Sequence, residues 1–183
     1  MCGTGTKPSR EPDAEDWKNG FAGHAALQIR YLAERGHTDI AMALPDSDSP
    51  LTEVRMRFVR ETAGVLGLPT ITPFVVPGPR AAGTTAVEAF RAAHESVTAV
   101  AAFDDDVALR TLTALHDLGL TMPDDVAVIG FGDTECGALI TTALTNVHID
   151  AEAHGRQAAR IALGLETTGI TRSPGRVLVR DSA

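Results

Sequence analysis

Residues 97–133, VTAVAAFDDDVALRTLTALHDLGLTMPDDVAVIGFGD, constrain the fold more than any other stretch. Two short apolar runs, Val97–Phe103 and Val126–Phe131, flank an amphipathic segment from Val107 to Leu118. Neither run alternates apolar with polar residues. A strand with one wet face alternates; a strand covered on both faces, as in a parallel sheet, does not. Ala108, Leu112, Leu115 and Leu118 recur at helical spacing, and Gly119 follows as a C-cap candidate. The stretch therefore predicts a strand–helix–strand unit with a right-handed crossover. Ligands of open α/β sheets bind beyond the carboxyl ends of the strands. Here those ends carry Asp104, Asp105 and Asp106 after the first strand, and Gly132 and Asp133 after the second. Carboxylates at a helix start cap free N–H groups and suit the positive end of the dipole. That reading fits Asp105 and Asp106. Asp104, nearest the strand end, is the candidate for ligand contact.

The rest of the chain continues the alternation. Met1 to about Asn19 holds Gly, Thr, Pro, Ser and alternating charges, which predicts a disordered lead, its end tacked down by Trp17. Phe21, Ala25, Ile29 and Leu32 then mark a helix, with Gly36 as its C-cap candidate. Ile40–Leu44 is a short buried strand, and PDSDSP (45–50) is a turn-rich loop beyond its end. Asp46, Asp48 and Arg55 there could face a ligand. A helix over 52–66 and a strand over Ile71–Val76 follow. Thr84–Glu95 reads as a helix capped by Thr84 or Thr85, with Val87, Phe90 and Ala93 in its core stripe. Asp150 suits the N-cap of a helix over 151–165 with Ala158, Ile161 and Leu165 on one side. His37 invites a catalytic reading, but a polar residue in a helix-to-strand turn explains it better.

Composition narrows the function. With 22% charged and 44% hydrophobic residues over 183 positions, the chain can fold around a real core. A net charge of -8 argues against nucleic-acid binding by this chain itself. Cys2 and Cys136 have neither metal nor redox spacing. No apolar run approaches the ~20 residues of a membrane span, and the first residues lack the apolar core of a signal peptide. The expectation is a soluble cytoplasmic protein with no membrane contact.

These motifs resemble the sensor domains of lactose-repressor-type (LacI/GalR) bacterial transcription regulators. That family carries xNDxxAxGxxxAL, then GLxxPxDVxVxGFDD and LTTV; this chain has FDDDVALRTLTALHDLGLTMPDDVAVIGFGD and then LTNVHID. The family's LxxxGHxxIA stands here as YLAERGHTDIAMA, and GRVLVRDSA resembles its closing strand. The resemblance covers about residues 20–183. It implies a periplasmic-binding-protein-like α/β fold, a parallel sheet flanked by helices. Its second lobe would span about 36–143, the crossover and returning helix 144–165, and the closing strand 176–181. It also implies a small effector, a sugar or nucleoside, with no cofactor. A homodimer would form through the 107–118 helix (Leu112, Leu115) and through Leu139 and Ile140. DNA would be reached only through a helix-turn-helix domain absent from this sequence. Arg55 stands twelve residues before Gly67, as the family's effector-contacting arginine does. The ligand contacts implied are Arg55, Asp104 and Asp133, with Asp46, Asp48, Asp105 and Gly132 as weaker candidates.

Three departures bear on that site. Phe58 replaces the glycine usual three residues after the arginine. Asp104 replaces the usual Asn, and when ionised it can only accept hydrogen bonds. Gly132 replaces the first acidic residue of GFDD, so weakened effector binding is expected unless Asp133 compensates. By resemblance the helix over 151–165 belongs to the first lobe, so it is expected to pack unusually, to fray, or to be completed by another chain.

Catalytic motifs are missing. The chain has no P-loop, no G-x-S-x-G elbow and no H-E-x-x-H, and GFGDTEC lacks the third glycine of a dinucleotide loop. The expected function is a sensor and not an enzyme. Two alternatives stand beside it: a truncated dimerisation module without effector binding, and a metal-dependent enzyme using Asp104–Asp106 through oxygen ligands.

Overall fold

The structure is a computed structural model that describes residues 23–166 and 175–183. The expected lead over 1–19 and Phe21 lie outside the described residues. Six helices and six strands are described: α1 (Ala25–Glu34), β1 (Ile40–Leu44), α2 (Pro50–Leu66), β2 (Thr72–Val75), α3 (Arg80–Ala93), β3 (Ala99–Ala102), α4 (Asp105–Asp117), β4 (Ala127–Phe131), α5 (Glu135–Leu139), β5 (Thr145–His148), α6 (Ala151–Ala162) and β6 (Arg176–Leu178). The sheet order is β2-β1-β3-β4-β5-β6. The first five strands run parallel, and β6 pairs antiparallel with β5. This is an α/β fold with a mostly parallel sheet flanked by helices. The chain moves outward from β1 to β2 and then reverses through β3, so a topological switch point lies between β1 and β3. Right-handed crossovers put α1 and α2 on one face and α3 and α4 on the other, and each pair packs together.

The non-alternating runs are the central strands. Every residue of β3 and β4 is buried, and so are the first four of β1. β2 lies at the sheet edge and alternates instead, with Val75 44% exposed. Pro73 sits in this edge strand, the place in a sheet where a missing N–H does least harm.

Two helices begin earlier than their spacing predicts. Ser49 caps α2 by accepting from Leu51 N, and Pro50 occupies the first turn, where its missing N–H costs nothing. α3 begins at Arg80, four residues before Thr84, with Pro79 in the cap position. Thr84 lies inside the helix, where its hydroxyl donates to Arg80 O (3.0 Å). Proline's fixed φ starts this helix, so no hydroxyl cap is needed.

The proposed dimer positions divide. Leu112 and Leu115 are each 1% exposed and belong to the core, so the 107–118 stripe faces the sheet and α3 and not a second chain. Leu139 is 75% exposed, and Ile140 is half-buried against the core. In α6 only His154 is buried, edge-on to His24 with ring centroids 5.5 Å apart.

A core role for Leu112 has a measurable consequence. Leu112→Ala should lower the urea-derived unfolding free energy by about 2–5 kcal/mol through the lost transfer energy and the cavity. A loss under about 0.5 kcal/mol accompanied by a change in self-association would restore the interface reading.

Candidate functional site

The carboxyl ends of β1, β3 and β4 meet the first turns of α2 and α4, and Arg55 reaches this corner from α2. Ala101 of β3 pairs with Ile129 of β4. Two steps further on, Phe103 and Phe131 therefore share one face of the sheet. The Arg55 guanidinium lies over both rings, its Cζ 3.6 Å from the Phe131 centroid and 4.4 Å from that of Phe103. Arg55 is 2% exposed. Burial pulls its pKa down to about 9, opposed by the charge of Asp104. At neutral pH it remains a cation, and the two ring faces supply part of the stabilisation that water would have given.

Asp105 and Asp106 stand in the first turn of α4, as the sequence reading has them, but the capping hydrogen bond comes from Asp104 and Asp105 has a further task. Asp104 is the N-cap: its Oδ1 accepts from Val107 N at 2.9 Å, and its charge faces Arg55. Asp105 is 2% exposed. Its Oδ1 accepts from Phe131 N (3.0 Å) and Asn146 Nδ2 (2.7 Å), and its Oδ2 from Thr134 N (2.6 Å). Those bonds tie the turn after β4 to the start of α4, and they spend the carboxylate. Asp106 is exposed. A Cβ at Gly130 would lie 2.7 Å from Asp105 Oδ1 and 2.6 Å from Leu144 Cδ2, so only glycine leaves room for the buried carboxylate.

Gly132 and Asp133 form the exit turn of β4. Gly132 adopts φ +129, a conformation that a side chain makes costly. Asp133, at φ 60, turns its carboxylate away toward the closing strands. Its Oδ1 accepts from Arg180 Nη2 at 2.7 Å, and its Oδ2 from His148 Nδ1 at 2.9 Å. Partial burial pushes the Asp133 pKa up, but the Arg180 and His148 hydrogen bonds and charges outweigh that and hold it below the usual carboxylate range.

Asp46 and Asp48 are exposed in the β1–α2 loop. Asp48 lines an open depression with Ser47, Thr52 and Arg60. His37 sits in the α1–β1 turn with Nδ1 2.9 Å from Thr98 Oγ1, and burial and then the charge of Arg35 lower its pKa. Gln28 escaped the sequence reading. It is fully buried in α1, and its Nε2 donates to the carbonyls of Ala102 (2.9 Å), Ile129 (3.2 Å) and Gly130 (3.1 Å), joining β3 to β4 under the site. The signal was an amide at the core spacing of Ala25, Ile29 and Leu32. Among the described residues no group of three His, Cys, Asp or Glu could hold a metal ion, and no helix is long and apolar enough to cross a membrane.

Known proteins match this arrangement. The family model described as a periplasmic binding protein-like domain matches residues 29–182. The HTH-type transcriptional repressor PurR of Vibrio parahaemolyticus is 30% identical over 139 residues, covering 75% of this chain and 42% of its own length. The HTH-type transcriptional regulator MalR of Streptomyces coelicolor is 31% identical over 159 residues, 81% of this chain and 44% of its own length. The chain thus spans less than half the length of these curated relatives. Among solved structures, a LacI-family transcriptional regulator from Arthrobacter sp. FB24 superimposes with TM-score 0.70 at 27% identity, over 88% of this chain and 62% of that one. A sugar-binding LacI-family regulator from Escherichia coli superimposes with TM-score 0.73 at 23% identity, over 90% and 61%. With the switch-point corner and the parallel sheet in place, the chain belongs to the periplasmic binding protein-like domain family and is similar to the sensing domain of LacI-family transcription regulators.

Proposed function

We propose that this chain is the effector-sensing part of a LacI-type transcription regulator and binds a small hydroxyl-rich metabolite, a sugar or nucleoside, beyond β3 and β4. The observation that carries this reading is the Arg55 guanidinium held over Phe103 and Phe131 beside Asp104. Packed over the rings, the guanidinium would recognise a ligand through its N–H donors. Their planar fork matches vicinal hydroxyls or a carboxylate, and Asp104 supplies an acceptor for ligand hydroxyls. Asp46, Asp48 and the bare backbone at Gly132 are secondary contacts. Asp133 serves chiefly as a brace between the β4 turn and the closing strands. Effector binding shifts the population of lobe orientations, and a DNA-binding segment reads that shift. On this reading the protein is cytoplasmic, uses no cofactor and catalyses no reaction.

A second reading is an interaction module, favoured by the exposed Leu139. A homodimer through Leu139 and Ile140 is compatible with both. Sedimentation should show a concentration-dependent dimer that Leu139→Asp weakens; monomers for both at high concentration would exclude this surface.

Thermal melts against sugars, sugar phosphates and nucleosides test the main reading. A ligand at a hundred times its dissociation constant adds about 2.7 kcal/mol of stability, a shift of about 5 °C or more. Arg55→Ala should abolish the shift, and Arg55→Lys should lose most of it, since the charge stays and the fork goes. A shift kept in Arg55→Ala, or no shift with any compound, would overturn the reading.

The brace has its own pH signature. A carboxyl held below its ordinary value stabilises the fold above the unfolded pKa of about 3.9, and that contribution is lost as pH falls through the folded value. Asp133→Asn should cost about 1 kcal/mol at pH 7, and the gap to wild type should close as pH falls toward about 3. A gap independent of pH would remove Asp133 from this role.

A further inference from the structure

On the α3–α4 face, the exit of β2 and the side of α4 border a half-open cavity of about 230 Å³ whose lining includes Pro77, Gly78, Leu109, Arg110 and Thr113. Two arginines border it, and their charges are not equally balanced. Arg80 is held by Asp117, with Nε and Nη2 at 2.9 and 2.5 Å from its two oxygens, and Thr84 supports the same carboxylate at 3.1 Å. Arg110 is half-buried, and among the described residues it has no carboxylate within ion-pair distance. Asp106, one turn back on α4, makes no ion pair with it, and Asp117 is taken. A guanidinium partly withdrawn from water without a counter-ion is an electrostatic cost that a bound anion removes.

The surroundings specify the anion. A Cβ at Gly78 would lie 4.0 Å from Arg110 Cζ, an ordinary van der Waals contact, so Gly78 borders the guanidinium within the cavity. Pro77 and Leu109 offer an apolar surface to a carbon body. Thr113 donates its hydroxyl proton to Leu109 O at 2.7 Å, which leaves its oxygen to accept from a ligand hydroxyl. The first turn of α3 carries no acid, so its dipole adds to the positive potential.

We propose that this cavity is a second ligand site for a small hydroxylated oxyanion, a carboxylate or a phosphate monoester. The charged head pairs with Arg110, the body lies over Pro77 and Leu109, and a hydroxyl reaches Thr113. The site is separate from the Arg55 corner and does not rest on the effector reading.

Amide NMR titrations of the full chain with glycerol 3-phosphate and with lactate test it, with sodium chloride at matched ionic strength as the control. Saturable shifts are expected at Gly78, Gly83, Arg110 and Thr113, and tighter binding of one probe assigns the head group. Arg110→Ala keeps a good helix former on α4 and should weaken binding by about tenfold or more; Arg110→Lys should fall between. Non-saturating shifts that chloride reproduces, or a titration unchanged in Arg110→Ala, would overturn the proposal.

Discussion

A carboxylate buried to 2% exposure has to be fully hydrogen-bonded or it disrupts the core around it. Asp105 meets that demand with donors from three places: the backbone at Phe131, the backbone at Thr134 and the side chain of Asn146. The end of β4, the turn beyond it, β5 and the start of α4 are thereby tied to a single group. Much of the carboxyl edge follows from this. Gly130 has to be side-chain-free because the carboxylate occupies the space a Cβ would need. Phe131, held through its own N–H, has its ring fixed beneath Arg55. The cation that anchors the candidate site thus rests on an aromatic floor positioned by an anion that never reaches solvent.

The two ends of this device bury charge differently. Asp105 is satisfied by dipoles, and its location costs little once the three donors are in place. Arg55 lies over two π faces, and burial lowers its pKa against the opposing charge of Asp104. A ligand bringing acceptors into the corner would restore part of the solvation lost on burial. On the proposed reading, binding there would be coupled to the electrostatics of the core as well as to shape.

Much of the layout was readable in the residues. The absence of alternation in β1, β3 and β4 reported burial on both faces, and the short apolar runs with intervening amphipathic stretches reported the alternation of strands and helices. What escaped depended on distinctions the pattern does not carry. A leucine stripe at 112 and 115 looks the same whether it meets a sheet or a second subunit. Which aspartate of three caps the helix depends on a one-residue offset: Asp104 caps it, and Asp105, read as a cap, braces the turn after β4. Gln28 is polar at a core position, a mismatch visible in the sequence, but its partners lie 74 to 102 residues away. The pairing of Asp133 with Arg180 spans 47 residues, and nothing local at Asp133 announces it. The positive φ at Asp133, which aims the carboxylate, is equally invisible from composition.

Pro73 in the edge strand carries a consequence for assembly. A parallel edge strand is an open template onto which another chain could add a strand, but a residue without an N–H leaves a gap in the row of donors. At the opposite edge β6 is only three residues long and antiparallel to its neighbour. Among the described residues neither border of the sheet offers a long, regular hydrogen-bonding register. Edges of this kind disfavour growth into a continuous ribbon and would leave any association between copies to side-chain surfaces, where specificity is easier to encode and to reverse.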